Sequence, residues 1–358
     1  MFKRSLAIML TIIFGLMMIG CGSSDKDGGA PSDTVKEEVK ENIVVGFSQL
    51  GAESDWRSAH TESIINTFTE ENGYELIFED GQQKQANQIM AIRTFIQQEV
   101  DYIILAPVTE KGWDTVLQEA KDADIPVIIV DRMVDVADES LFTCWVGADF
   151  ELEGQKVTEW LRQYTLKNNI AAKDVHIVNI QGTLGGSSQI GRTKRLRDAV
   201  EAYGWDLLEE KPGDFTRTKG KEVMEEFLKQ YDNINVVYCE NDNEAYGAIE
   251  AIEATGKKVG LDIGNGEIMV VSFDGVKRDA MSYALKGKIA CIAECNPLHG
   301  PRVQAIIETL ETGEQPVKFH YMDEEIFSAY ESIDVLKIDE KEYSVVHLTQ
   351  EIIEQRYQ

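Results

Sequence analysis

The chain has 358 residues, 43% of them hydrophobic, and a formal net charge of −28. Roughly 340 residues behind the first segment are more than one hydrophobic core usually organises, so two lobes are expected. So large an excess of acid repels phosphate backbones and argues against nucleic acid as a partner.

In chain order, the first element opens with Lys3 and Arg4, runs apolar from Leu6 to Ile19 and closes with Gly20-Cys21. It is shorter than the ~20 apolar residues of a membrane span and reads as a secretion signal. Met18-Ile19-Gly20-Cys21 is similar to a bacterial lipobox, with Met18 where Leu is more usual. That similarity implies cleavage before Cys21 and lipidation of its thiol; an ordinary signal peptide with an incidental cysteine is the alternative. Either reading puts the rest of the chain outside the cytoplasm. Residues 21–42 carry Gly, Ser, Asp, Lys and Glu with almost no apolar content, the composition of a flexible acidic tether.

From Ile43 onward, apolar runs alternate with amphipathic stretches. The runs are 43–47, 75–78, 102–106, 126–130, 175–180, 235–239, 268–273 and 289–293, mostly β-branched and apolar throughout, as strands buried on both faces should be. Ile89, Ile92, Phe95 and Ile96 share one helical face, as do Ala245, Ala248, Ile249 and Ile252. Repeated strand–helix–strand units predict an α/β fold of parallel sheets with helices on both sides. Gln49, Asp131, Gly182, Asn241 and Asp274 each end a strand just before a helix, where open parallel sheets bind ligands.

Beyond Cys21 four cysteines remain: Cys144, Cys239, Cys291 and Cys295. Cys291 and Cys295 read as one strand and would stand about 13 Å apart, too far for a disulfide. Four buried free thiols are expected. No metal and no cofactor is called for.

The strand ending in Asp131-Arg132 resembles those of the ribose-binding-like solute receptors of ABC transporters. Residues 46–59, 80–89, 180–192, 213–225, 240–252, 272–275 and 293–297 agree with that family in order and spacing, over nearly all of the chain behind the tether. Trp56-Arg57, the segment DGQQKQ at 80–85 and GDFTRTKGKEVM at 213–224 are most similar to the subgroup typified by a galactofuranose-binding receptor. The resemblance implies the type I periplasmic-binding-protein fold, with two doubly wound parallel-sheet lobes joined by a three-segment hinge. The first lobe is placed at 43–148 plus 296–325, the second at 149–295 plus 326–358.

A sugar presents hydroxyls that donate and accept, and weakly apolar C–H faces, so its site mixes carboxylates, amides and guanidiniums with flat rings. Asp131 can accept from hydroxyls while Arg132 donates in a planar fork. Trp56 and Phe215 can form stacking walls, or pack in the core instead. Arg57 and Arg192 can reach hydroxyls; the glycine turn before Arg192 lacks the Lys-Ser/Thr of a phosphate loop. Asn241 and Asp274 have the residue types of helix caps, and by resemblance contact ligand. Glu294 stands where the family often supplies an amide or acid from a hinge crossing. Gln49, Glu53, Asp80 and Gln83 are further candidates near the first strand ends.

Catalysis finds little support: five histidines are scattered without metal spacing, and no GxSxG elbow is present. Arg132 beside Asp131 favours an ionised carboxylate, which suits binding better than acid catalysis. The expected protein is a monomeric, lipid-anchored receptor that delivers a monosaccharide to an ABC permease. A sensor subunit presenting the sugar to a membrane kinase or chemoreceptor is the alternative. A galactofuranose-like ring is favoured, with ribose, arabinose, galactose and polyols open.

Overall fold

The computed structural model describes residues 42–356, so the signal segment, Cys21 and the tether to residue 41 lie outside the described residues. The first strands and helices are β1 (Ile43–Gln49), α1 (Asp55–Thr67), β2 (Tyr74–Asp80), α2 (Gln85–Gln97), β3 (Tyr102–Leu105), α3 (Asp114–Asp122), β4 (Val127–Val130) and β5 (Cys144–Gly147). Then come α4 (Phe150–Lys167), β6 (His176–Gln181), α5 (Ser187–Tyr203), β7 (Asp206–Pro212), α6 (Arg217–Gln230), β8 (Val236–Cys239), α7 (Asp242–Ala254), β9 (Met269–Asp274), α8 (Arg278–Leu285) and β10 (Ile292–Glu294). The remainder is α9 (Gly300–Glu311), β11 (Phe319–Tyr321), β12 (Ile326–Ser328), β13 (Val335–Ile338), β14 (Lys341–His347) and α10 (Gln350–Arg356).

Two sheets result. The first has the order β2-β1-β3-β4-β5-β11 and is parallel throughout. The second runs β7-β6-β8-β9-β10-β12-β14-β13. It is parallel from β7 to β10, then β12 joins β10 antiparallel and β13 joins β14 antiparallel. The chain therefore passes between sheets three times: after β5, after β10 and after β11.

The two-sided burial inferred from the apolar runs is visible in β4. Val127 and Ile129 enter one core cluster, Ile128 and Val130 the cluster on the opposite face. In β8 the same alternation sends Val237 and Cys239 one way, Val236 and Tyr238 the other. With side chains alternating at period two, only a strand covered by helices on both faces needs every residue apolar. All four described cysteines are buried and free.

Some strands escape the pattern. β7 (DLLEEKP) is an edge strand with mostly half-buried residues, so its sequence is polar. β5 and the strands from β11 to β13 have only three or four residues, and unlike β4 and β8 they do not stand in unbroken β-branched and apolar runs. The run 289–293 supplies only its end to β10.

A fifth, small cluster lies where the lobes meet: Trp56, Ala148, Phe150, Val276 and Cys295. It draws on α1, α4, the loop after β9 and two of the three passages.

Candidate functional site

The carboxyl ends of β1, β4, β6, β8 and β9 converge on a cavity between the lobes with about 270 Å³ of free space, part of it open to solvent. Eight of the nine expected ligand residues line it: Trp56, Arg57, Asp131, Arg132, Arg192, Phe215, Asn241 and Asp274. Glu53 lines it as well, with Ser54, Phe150, Ser188 and Cys295. Glu294 is not part of the lining; its Oε2 accepts from the Glu325 backbone N–H at 2.9 Å. Asp80 and Gln83 are exposed and also stand outside it. Gln49 lies behind the wall, where its Nε2 meets His60 Nδ1 at 3.0 Å and its Oε1 accepts from Arg57 at 3.3 Å.

On the first lobe, Ser54 caps α1 through the Arg57 N–H and so sets where Trp56 and Arg57 leave the helix. Trp56 Nε1 donates to the Cys295 carbonyl at 2.7 Å, and its ring stacks on His60. Arg57 is almost completely buried and holds two carboxylates, Glu53 at 3.1 Å and Asp131 at 2.6 Å. Arg132 donates to the Val108 carbonyl at 2.6 Å and lies over the Phe215 ring of the other lobe. Burial works against charge on Asp131, yet the guanidiniums of Arg57 and Arg132 outweigh it and hold its carboxyl below the ordinary range. His60 and His299, in ring contact behind Trp56, are both pushed down by burial, His299 to about 4, and are neutral at pH 7.

On the second lobe, Arg192 reaches Glu153 at 2.7 Å and Asp274 at 3.5 Å, and its guanidinium lies over Phe273 and Phe150. Burial raises the Asp274 carboxyl well above its ordinary value; Arg192 opposes this, while Asp242 and Glu153 add to it. Asn241 does cap α7, its Oδ1 accepting from Glu244 N–H at 2.8 Å, and its Nδ2 donates to the Phe215 carbonyl at 3.1 Å. The cap and the cavity wall are one residue.

Three lining residues hold left-handed backbone: Asp131 (φ 62°), Phe215 (φ 61°) and Asp274 (φ 88°). Aspartate tolerates this region, whereas for a bulky aromatic it is a strained outlier. Phe215 is kept there by Glu244, whose Oε1 accepts its N–H at 2.8 Å, and by Asn241. Its ring also needs Gly182, where an added Cβ would stand 1.9 Å from Phe215 Cζ.

Two lining residues keep buried polar atoms without partners, the acceptor Glu53 Oε2 and the donor Arg132 Nε. Such atoms are expensive to leave unmatched, and a hydroxyl can satisfy both kinds. At the rim the lobes touch directly. Lys277 pairs with Asp55 at 2.7 Å, and Asn243 accepts from Asp55 N–H at 3.0 Å. Opposite them, Ser187 Oγ accepts from Met133 N–H at 2.9 Å.

Phe150, Ser188 and Cys295 were not expected in the wall. Phe150 and Cys295 belong to the passages between lobes, where no strand-end pattern marks them; Ser188 opens α5 inside the glycine turn already noted.

Residues 45–299 match the family described as the periplasmic binding protein domain. The galactofuranose-binding protein YtfQ of Escherichia coli K12 is 42% identical over 281 residues, 77% of this chain and 85% of the relative. A Mycobacterium smegmatis structure in complex with β-D-fucofuranose superposes with a TM-score of 0.75 at 41% identity, covering 80% of this chain and 91% of that one. The periplasmic binding component of the arabinose ABC transporter from Shewanella sp. ANA-3, bound to α- and β-L-arabinofuranose, gives 0.71 at 39% identity, covering 79% and 91%.

Proposed function

The chain belongs to the periplasmic binding protein domain family, and from that premise we propose that it captures one neutral monosaccharide in furanose form between its lobes. The relatives it matches are binding proteins, not enzymes. The observation that carries the reading is the cavity itself, lined from both lobes by guanidiniums, carboxyls, an amide and three aromatic rings. The unmatched Glu53 Oε2 and Arg132 Nε in its wall call for a polar ligand with hydroxyl groups. The ligand named for YtfQ and those bound in the two structures are five-membered rings, which supports a galactofuranose-like sugar here.

The chemistry assigns roles. Ionised Asp131 accepts from sugar hydroxyls, and Arg57 and Arg132 donate. Asp274, whose carboxyl burial pushes well above its ordinary value, holds a proton more readily and can donate where Asp131 accepts. Trp56 and Phe215 cover the C–H faces. A sugar touching both lobes has higher affinity for the closed arrangement and shifts the population toward it. Micromolar capture needs about 8 kcal/mol, within reach of several charge-assisted hydrogen bonds and two rings.

The receptor works as a monomer outside the cytoplasm, held by a lipid on Cys21, and hands its sugar to an ABC permease. Cys21→Ser abolishes membrane retention and leaves sugar affinity intact; lost affinity would mean that the tether belongs to the binding fold. Calorimetry with furanose-locked and pyranose-locked methyl glycosides tests the ligand. Furanosides are expected to bind and pyranosides to be rejected, and a panel in which no sugar binds overturns the proposal.

A further inference from the structure

Each of the three passages between the lobes delivers one metal-ligating group to the same place. Glu153 stands in the first turn of α4 after the first passage, Cys295 follows β10 at the second, and Glu324 lies between β11 and β12 at the third. A carboxylate oxygen, the thiol sulfur and a second carboxylate oxygen lie within 4.8 Å of one another.

A second observation points to a ligand there. Glu153 is completely buried; its Oε2 pairs with Arg192 Nε at 2.7 Å, while its Oε1 is enclosed with no N–H or O–H donor, the Cys295 thiol being the carboxyl's other contact. A buried carboxylate oxygen in that position carries a desolvation cost that a cation would remove.

We propose that Glu153, Cys295 and Glu324 bind a divalent cation of the Zn2+ class, tying the three hinge passages together. The donor set decides the class. A thiolate sulfur selects against Mg2+ and Ca2+, and one sulfur with carboxylate oxygens suits tetrahedral Zn2+ or Co2+. Three protein ligands leave a fourth position for water or for a hydroxyl of the captured ligand, since Cys295 also lines the cavity. Metal–ligand bonds of about 2.0–2.3 Å require the three atoms to draw together by about 1 Å.

The charge balance is workable. Arg192 lies on Glu153, and Lys156, whose Nζ donates to the Glu324 carbonyl at 2.8 Å, stands beside it, so two cations already face the two carboxylates. On binding, the Cys295 S–H bond breaks, its proton leaves to solvent and an S–metal bond forms. A ligand carboxyl that holds a proton releases it in the same way, so the affinity falls as pH falls.

Titrating the full chain with Co2+, without sugar, tests this independently of the sugar reading. The expected result is a near-ultraviolet thiolate-to-cobalt absorption band that saturates at one equivalent, with a rise in melting temperature. Cys295→Ser abolishes the band, and Glu324→Gln weakens Co2+ binding about tenfold or more. No band in the unmodified chain overturns the proposal. A band that persists in Cys295→Ser also overturns it, because the metal then sits on another thiol. Glu324→Gln keeps side-chain shape at a half-buried position, so unchanged Co2+ affinity in that variant overturns it even where Cys295→Ser fails to fold.

Discussion

On the first lobe, Arg57 and Arg132 face Glu53 and Asp131 at close range, two cations against two carboxylates. On the second, Arg192 alone faces Glu153 and Asp274, with Glu240, Asp242 and Glu244 buried behind them. Burial opposes charge on both sides. On the first it is overcome, and Asp131 stays ionised; on the second it wins, and the carboxyls rise, Glu240 and Asp242 to about 7. Two aspartates that end strands in equivalent fashion thus become opposite hydrogen-bonding groups, one accepting and one able to donate.

Conservative substitutions test this contrast most directly. Asp131→Asn leaves Arg57 short of a buried counter-charge and is expected to reduce sugar affinity about a hundredfold or more. Asp274→Asn removes a charge that burial already disfavours and should cost less than about tenfold. Equal losses by calorimetry would break the comparison.

Gly182→Ala comes next, because its Cβ would meet the Phe215 ring of the second lobe. Overpacking of this kind costs about 1–3 kcal/mol, so affinity should fall about tenfold while the first-lobe ion pairs stay in place. An unchanged dissociation constant would show that Phe215 is not a ligand wall.

Stability against pH separates the lobes in another way. A carboxyl raised in the folded state binds its proton more tightly there than in the unfolded chain. Its contribution is complete below the unfolded value and is lost as pH rises through the folded one. Glu240 and Asp242 therefore make the protein less stable as pH rises from about 4 to about 7. Asp131, lowered in the folded state, acts oppositely and only at more acid pH. Urea denaturation across that range should show the slope, and Glu240→Gln should flatten it. Because His60 and His299, lowered by burial, bend the total the other way below about pH 6.5, the difference between the two proteins decides: an unchanged pH dependence in Glu240→Gln would be incompatible with a raised Glu240.

The smallest effect is expected at the rim. Lys277→Ala removes a half-exposed ion pair with Asp55, worth about 0.2–1 kcal/mol, so affinity should fall no more than about fivefold. A loss as large as that of Asp131→Asn would move the weight of binding from cavity chemistry to lobe closure.

Most of the site was readable because parallel strands buried on both faces announce themselves as apolar runs, and their polar end residues fall at the cleft. Asp131-Arg132, Asn241 and Asp274 were found in that way. Glu294 is named by resemblance to a hinge position rather than from a strand end, and its carboxyl accepts from the Glu325 backbone outside the cavity lining. Glu153 and Phe150 carried no such signal, since their place depends on where α4 lies after the chain has changed lobes.

Alternation of apolar runs with helical faces was enough to specify parallel α/β units and the strand ends that surround a ligand, because burial on both faces is a local requirement written into each segment; chain length called for two lobes. Which of those ends carries a charge was not local. Asp131 meets Arg57 from 74 residues earlier in the chain, and Asp274 lies among carboxyls brought in by α4 and α7. Packing set how much water and which partners each aspartate kept, and from that its proton followed.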